Sequence, residues 1–594
     1  MKERIELLKL LRDAGWRLTV ALTLVLLVDA LVPTGTALAV ASLIQAHGED
    51  VVVPVLFMAA VMLGGQTALA FWGPLTRLAS ARIDGAQRTR MAALLLAVPT
   101  LDGVERQDVQ NLVRTATTEP REWVDKTVGD GSVSQLELLT RYVGLMAAAA
   151  ILAFWSWWLI PALVVPGFIF RLIHGRESIR HFQIWTSGVV HHRLWQYWGE
   201  IATSPAEGKE IRVFGAADWV LGHYAHNVGS HLKPVWANDH RVLRNLSLAL
   251  LIPLLPTAAV FAWVATGTAA GRGSIALEVA VLTATWSVFS TMFRSTDILS
   301  YEGARPVARA AARLARTLDV QSPNLSGSRA IPDSPPLVRF ERVRFRYEGA
   351  PLPVLDELDL EIRPAELLAV VGLNGAGKST LTKLLAGLYR PNSGKITADG
   401  VDIAGIPGWQ SWVSIVFQDF IKYQLSLGDN IALGSANSAI LTAVARDAGL
   451  SDVVAALPKG FATPLARTRT DGVDLSGGQW QQVALARALY AVAAGARVLV
   501  LDEPTAHLDV RTEYELFQRL AGVTAPISVV LISHRLSTVR QADRIVFLDH
   551  GRITEEGTHN ELMSLGGKYA ELYTLQAARF LRGVDSRLDQ GDVA

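Results

Sequence analysis

The chain has 594 residues, half of them hydrophobic, a formal charge of +1 and no cysteine. That length accommodates several domains. The near-zero charge offers no global attraction to nucleic acid, and without cysteine there is no disulfide, no thiolate metal site and no catalytic thiol, hence no cysteine-protease domain in this chain.

The apolar residues concentrate before about residue 300. Lys2, Arg4, Lys9, Arg12 and Arg17 precede a long run at 18–46 that only Asp29 interrupts. Residues 51–72 carry no charge, and neither do 246–271. Each is long enough to cross ~30 Å of hydrocarbon as a helix. Residues 142–170 are too many for one span and too few for two dry ones. Arg141 before this run, and Arg171 and Arg176 after it, mark both ends as cytoplasmic. The chain is therefore expected to cross twice, turning near "FWSWWLIP" at 154–161; one long tilted helix is the alternative. A shorter run at 279–293 lies between Glu278 and Arg294.

The expected spans are approximately 18–46, 51–75, 135–156, 158–178, 246–271 and 274–298, forming an all-α transmembrane domain over 1–320. The basic N-terminus lies inside, and an even count returns the remainder of the chain to the cytoplasm. Ala37-Leu38-Ala39 resembles a signal-peptidase site, but Asp29 breaks the apolar core and the run continues to 46, so the segment reads as a retained span. The polar stretches 77–135 and 171–243 read as cytoplasmic extensions of the membrane helices. His191 and His192 within them read as solvated, and Arg305, Arg309, Arg313 and Arg316 as one solvated helix face. A Pro/Ser-rich linker follows at 321–336. The second domain covers 337–580, and a tail 581–594 ends the chain.

From Val338 the pattern turns to short β-rich segments and helices. "LLAVVGLNGAGKST" is a buried strand, a glycine loop and a helix start, and it fits G-x-x-x-x-G-K-[ST] at Gly372, Gly377, Lys378 and Ser379. Glycines let backbone N–H groups approach a phosphate, and the helix N-terminus adds a favourable field. Lys378 can reach the β- and γ-phosphates, and Ser379 offers a hydroxyl to Mg²⁺. Asn374, Gly375 and Thr380 belong to the same nucleotide-binding stretch. "RVLVLDEP", 497–504, is an apolar strand ending in two carboxylates. Asp502 can hold Mg²⁺ through water, and Glu503 can polarise an attacking water. Positioning, charge neutralisation and an oriented nucleophile are what phosphoryl transfer needs.

With these motifs the chain resembles the ATP-binding cassette family, in particular exporters that carry membrane and ATPase domains in one polypeptide. The resemblance covers nearly the whole chain. It implies an α/β P-loop ATPase after the six-helix domain. "LSGGQ", 475–479, is similar to the family signature, and Gln418 falls where the family has its Q-loop glutamine, near Mg²⁺. His534 matches the switch histidine, Asp509 the D-loop aspartate, and Tyr347 the aromatic that stacks on adenine. The resemblance implies that Ser476, Gly477, Gly478 and Gln479 grip ATP held by the partner's P-loop, so that two ATPs lie between two copies of this chain. Residues 207–224 resemble the family's second cytoplasmic loop, which docks on the partner's ATPase domain. "TRTDGVD", 468–474, departs from the usual T-E-x-G-E-type segment, and Ala506-His507 from the commoner Ser-Ala. The "DGV" before the signature and Trp480 after it are similar to the bacterial subset that includes lantibiotic-type peptide exporters.

The sequence therefore reads as an ATP-driven exporter of the bacterial inner membrane, acting as a homodimer with ATP and Mg²⁺ on a modified peptide. A lipid or multidrug exporter, an exporter-shaped importer, and an ATP-gated regulator or channel are the alternatives. Asp29 is the intramembrane residue that reads as a candidate for substrate or proton, because buried membrane carboxylates are costly.

Overall fold

A computed structural model describes residues 2–46, 48–98, 100–117, 125–204, 208–269, 275–293, 296–318, 332–434, 436–467, 469–503, 527–533 and 539–575. The chain forms two compact units: Met1–Leu96 with Gln107–Asp319, and Ala97–Arg106 with Val320–Ala594.

The first unit is helical. Its long helices are Trp16–Gln45, Val52–Leu96, Val128–Trp155, Leu159–Ser187, Ala217–Ala249, Leu251–Ala269, Ile275–Phe293 and Thr296–Thr317. Among the described residues, five helical stretches are long and apolar enough to cross a membrane: Trp16–Gln45, Val52–Leu96, Val128–Phe154, Leu159–Ser187 and Ala217–Gly267. Small residues let helices approach. Gly144 abuts the Ala30 carbonyl, and a Cβ at Gly65 would come within 3.1 Å of Val32. The Val128 helix starts on a capping box, with Asp130 N–H donating to Thr127 Oγ1 (3.1 Å) and Thr127 N–H to the Asp130 carboxylate (3.3 Å); this satisfies two donors that lack helical partners.

The run 142–170 is broken at Ser156, where the backbone becomes extended, and a new helix starts at Leu159. Pro161 sits in that helix's first turn, where its missing N–H costs nothing. Arg141 and Arg171, read above as flanking charges, lie inside their helices, within a chain of ion pairs. Arg141 bonds Glu137 at 3.2 Å and approaches Asp297 at 3.8 Å, while Arg171 pairs with Asp297 at 2.6 Å. His191 is exposed, but His192 is half-buried with its ring 5.2 Å from His231 and 5.3 Å from Trp195. The partner on the facing helix lies 39 positions away, out of reach of a local reading. Among the described residues no group of three or more metal-ligating side chains forms. The arginine face of Thr296–Thr317 is paired in part: Arg305 and Arg309 both bond Glu3 at 2.7 Å.

The second unit is α/β. Its strands are β1 (Val338–Phe345), β2 (Leu355–Ile362), β3 (Leu367–Gly372), β4 (Ser393–Ala398), β5 (Val401–Asp402), β6 (Val413–Val416), β7 (Val498–Asp502), β8 (Ser528–Ile532), β9 (Arg544–Asp549) and β10 (Arg552–Gly557). An antiparallel sheet has order β2-β1-β4-β5. The second sheet has order β10-β9-β3-β8-β7-β6, parallel except for the β10 edge. β7 and β9 are buried at every residue, as strands covered on both faces must be. Register sets Val370 of β3 and Asp502 of β7 both opposite Ile532 of β8. The carboxyl ends of these strands therefore share one edge, where open α/β sheets bind ligands. A helical multi-helix region followed by an α/β ATPase-type domain is the fold class the sequence predicts.

Residues 97–106 group with this second unit although they interrupt the first in sequence. Leu101 N–H donates to the Leu388 carbonyl at 2.7 Å, and Tyr389 Oη donates to the Glu105 carboxylate at 2.5 Å. Burial first, and then the Glu105 carboxylate beside it, hold the Tyr389 hydroxyl well above the ordinary tyrosine range.

Candidate functional site

The glycine loop between β3 and the helix Lys378–Leu385 is shaped by positions only glycine fills cheaply. Gly375 and Gly377 have φ of 82° and 105°, a region L side chains rarely enter. A Cβ at Gly377 would also lie 2.7 Å from Leu355. At Gly372 a Cβ would run into the Leu548 carbonyl. Such a turn directs successive N–H groups at one point, a concavity suited to phosphate. Lys378 is buried and folds back on the loop, its Nζ donating to the carbonyls of Gly372 (2.8 Å) and Leu373 (3.0 Å). Burial holds its pKa below the ordinary lysine value, against the pull of Glu503 and Asp502. Asn374 and Ser379 are exposed at the loop surface, whereas Thr380 is buried.

Asp502 ends β7 inside the protein, 3% exposed. Its pKa is pushed up to about 6, first by burial and then by Glu503 and Asp419, while the Ser379 hydroxyl that donates to it and Lys378 act the other way. The Asp502 carboxylate and the Ser379 hydroxyl that donates to it are oxygen ligands of the kind hard divalent cations take. The residues therefore fit Mg²⁺.

Glu503 follows in a left-handed conformation, φ 51°. A non-glycine residue there stores about 1–3 kcal/mol of strain. It is held by its own N–H donating to Ile532 O (2.9 Å) and by Gln481 Nε2 donating to its carbonyl (3.3 Å). Its carboxylate accepts from Gln418 Nε2 at 3.1 Å. Gln418, drawn from the loop after β6, is thus brought to the carboxylate pair. The sequence reading missed Gln481. The signal was its place in the three-glutamine run of "GGQWQQ" at the start of the helix Gly477–Ala493, from which Gln481 reaches the strand end.

Tyr347 lies at the end of β1, its hydroxyl 3.2 Å from Thr380 Oγ1. Its ring meets Phe345 and Tyr389 edge-on at 4.9 and 5.5 Å. Lys383 Nζ lies 5.6 Å from the Tyr347 ring centroid and 5.7 Å from that of Tyr389. The half-buried ring keeps part of its surface accessible, which a stacking partner for adenine requires.

Ser476 caps the helix Gly477–Ala493 in a capping box: its Oγ accepts from Gln479 N–H at 3.4 Å, and Gln479 Oε1 accepts from Ser476 N–H at 2.9 Å. Gln479 therefore shapes the helix start within its own chain. Ser476 and Gly477 are exposed. Among the described residues the four signature positions have no hydrogen bond to the P-loop of the same chain. Trp480 is buried, and its indole donates to Asp474 at 3.2 Å; its place after the signature is a packing feature of this helix. His534 and Asp509 lie outside the described residues. Asp29 lines a cavity of the helical unit.

Residues 355–506 match the family described as "ABC transporter". The chain is 32% identical over 377 residues to an "ATM1-type heavy metal exporter" of Novosphingobium aromaticivorans, covering 62% of this chain and 60% of that protein. It is 40% identical over 255 residues to an "ATP-dependent lipid A-core flippase" of Alkalilimnicola ehrlichii, covering 42% of each. It is 36% identical over 269 residues to a "Leukotoxin translocation ATP-binding protein" of Mannheimia haemolytica, covering 44% of this chain and 37% of that one. The matched segments thus span between about a third and three fifths of these relatives. A solved "bacterial Atm1-family ABC exporter with ATP bound" superposes with a TM-score of 0.70 at 24% identity, over 94% of this chain and 98% of that one. The likeness is one of fold.

Proposed function

The chain carries an ABC transporter domain at residues 355–506 and shares the fold of an Atm1-family exporter, and on that premise we propose that it is an ATP-driven exporter of the bacterial inner membrane. The observation that carries the reading is one edge of the parallel sheet, where Lys378, Ser379, Asp502, Glu503 and Gln418 converge. Helices long and apolar enough to cross a bilayer in the same polypeptide support it, as do the exporter and flippase names of its relatives.

In this reading the N–H groups of the glycine loop cradle the phosphates of ATP, and Lys378 exchanges its carbonyl partners for the β- and γ-phosphate oxygens. Tyr347 stacks on adenine. Ser379 and Gln418, and Asp502 through water, would hold Mg²⁺, which would supply neutralisation of the phosphate charge. Glu503 accepts the proton of the attacking water, oriented by Gln418; a positioned general base contributes about 10²–10⁴-fold. His534 and Asp509 complete the site on the resemblance alone. The exposed Ser476 and Gly477, with the half-buried Gly478 and with Gln479 shaping the turn, grip ATP on the P-loop of a second copy. Two copies so arranged form two composite sites. The chain is then a multi-pass protein with six spans and both termini in the cytoplasm.

The cargo we propose is a modified peptide, on the resemblance around the signature; one relative is named for leukotoxin translocation. The heavy-metal and lipid A-core names of the other relatives keep heavy-metal and lipid cargo as outcomes of the same transport assay. ATP-dependent uptake of modified peptides into inverted vesicles tests it, and uptake of lipid or heavy metal with none of peptide replaces it.

Composite sites are tested by mixing a Lys378→Ala chain with a Ser476→Arg chain. A mixed dimer retains one intact site, so random mixing should restore about a quarter of wild-type ATPase activity. A mixture no more active than either parent means either that sites are not shared or that both must fire together, and cross-linking separates the two cases.

A further inference from the structure

A cavity of about 640 Å³ in the helical unit is lined from the N-terminal helix Lys2–Lys9 and from the helices Val52–Leu96 and Thr296–Thr317. Small-molecule sites measure about 300–1,000 Å³ and join apolar walls to a few polar groups. The apolar wall here includes Leu7 and Met91, 2% and 5% exposed. Leu7 and Leu10 stand just ahead of Trp16, where the first candidate membrane span begins.

Two parts of this lining are unsatisfied. The helix Val52–Leu96 buries the stripe Ala79, Ile83, Gln87 and Met91. Gln87 is its polar member. It is 8% exposed and lines the cavity, and among the described residues its amide has no hydrogen-bond partner. Burying an amide without a partner is costly, so such a group asks for a ligand or a reason. The second part is the arginine face of Thr296–Thr317. Glu3 reaches Arg305 and Arg309 at 2.7 Å each, which neutralises the near end of the row. Arg313 and Arg316, further along, line the same cavity, and among the described residues neither has an ion-pair or hydrogen-bond partner. They pair neither with Glu6, an exposed carboxylate of the same lining, nor with Asp108, which shares an adjoining groove with them.

Two guanidinium forks and one amide supply N–H donors from two helices, a set that suits the three terminal oxygens of a phosphate monoester better than the two of a carboxylate. A phosphate monoester carries about −1.5 to −2 at neutral pH, which matches the two arginines that Glu3 leaves over. The apolar wall beside them suits an apolar body on the same ligand. We propose that this cavity binds the phosphate monoester of an anionic amphiphile, a headgroup of the phosphatidic acid kind. Arg313 and Arg316 hold phosphate oxygens, the Gln87 amide donates to a third, and the apolar chains leave along Leu7, Leu10 and Met91. Glu3, by pairing with Arg305 and Arg309, keeps the N-terminal wall of the cavity in place. This inference goes beyond the exporter reading, because such binding needs neither nucleotide nor transport.

The test uses the full chain in dodecyl maltoside without nucleotide, with radiolabelled dioctanoyl phosphatidic acid as the probe and equilibrium binding as the readout. Binding should saturate, and unlabelled dioctanoyl phosphatidylcholine and inorganic phosphate should each displace the probe about tenfold or more less effectively than unlabelled probe does. Arg313→Gln together with Arg316→Gln should weaken binding about a hundredfold, since each bond to a charged group is worth about tenfold or more. Gln87→Leu should weaken it about fivefold without lowering the ligand-free thermal midpoint, because the amide has no partner to lose. Glu6→Gln should tighten it. If the double arginine variant is not monodisperse, Ala312→Glu, which sets a carboxylate in the same lining, should abolish binding in its place. No saturable binding, displacement by inorganic phosphate as good as by the probe, or binding that survives the arginine and Ala312 variants, as phosphate caught by the glycine loop would, overturns the proposal. Such a failure leaves the exporter reading standing, because that reading is decided by ATP-driven uptake.

Discussion

The two units treat buried charge in opposite ways. In the helical unit Arg141, Glu137, Asp297 and Arg171 neutralise one another over short distances. At the end of β7, Asp502 and Glu503 are crowded together with Asp419, and burial leaves Asp502 with a pKa of about 6. The first arrangement is complete without a ligand. The second is electrostatically stressed, and a cation with a polyphosphate relieves it. A balanced set holds helices together; a stressed set binds and reacts. The contrast makes a direct statement about mutants: removing a charge should harm the first unit and stabilise the second while stopping its chemistry.

The largest effect is expected at Glu503. Glu503→Gln should retain ATP binding and lose about 10²-fold or more of steady-state phosphate release. A variant hydrolysing near the wild-type rate would take Glu503 out of the catalytic role. Next comes Arg171→Met, which leaves Asp297 buried, 2% exposed, with one guanidinium fewer. Breaking a buried pair costs about 3–5 kcal/mol, so the thermal midpoint of the helical unit should drop markedly. A midpoint within a degree or two of wild type would mean that the quartet is not a structural device.

Asp502→Asn is the opposite case. Raising a carboxylate from 3.8 to about 6 on folding corresponds to about 3 kcal/mol of destabilisation at neutral pH. The folded protein takes up a proton that the unfolded chain does not, so nucleotide-free stability should rise as pH falls from about 6 to about 4, then level off. Asp502→Asn should flatten that dependence and raise the midpoint at pH 7, while weakening Mg²⁺-dependent ATP binding. A pH-independent wild type, or an Asn variant less stable at pH 7, would contradict this account of burial. The smallest effect is expected at Tyr389→Phe, which removes the hydrogen bond to Glu105 at 2.5 Å. A loss of about 1.5–3 kcal/mol is the range for a bond to a charged group. It should appear as faster amide exchange at Leu101, whose N–H bonds Leu388, with the midpoint of the sheet little changed.

The glycine loop, the helix behind it and the paired carboxylates at a strand end are short-range patterns, and the class of fold they imply is legible from residue order alone. A helix-turn start such as Ser476–Gln479 is also local: S-x-x-Q carries its own capping box. Less legible were contacts made across sequence. Gln481 reaches the Glu503 carbonyl over 22 positions, and Tyr389 meets Glu105 over 284. The indole of Trp480, packed and bonded to Asp474, is likewise a contact that residue order does not show.

By itself, the sequence determined that an apolar helical region precedes an α/β nucleotide-binding unit, because hydropathy and glycine spacing act within a few residues. Only the tertiary structure decided what its charges do. Arg141 and Arg171 read as the ends of spans because a linear string shows charge beside apolar residues. Folding brings Asp297 to both, 126 positions beyond Arg171, and turns them into a buried pair network. Burial likewise, which no string of letters contains, separates Asp502 at about 6 from an ordinary surface aspartate. Desolvation depends on everything packed around a group, and that is set by the whole fold.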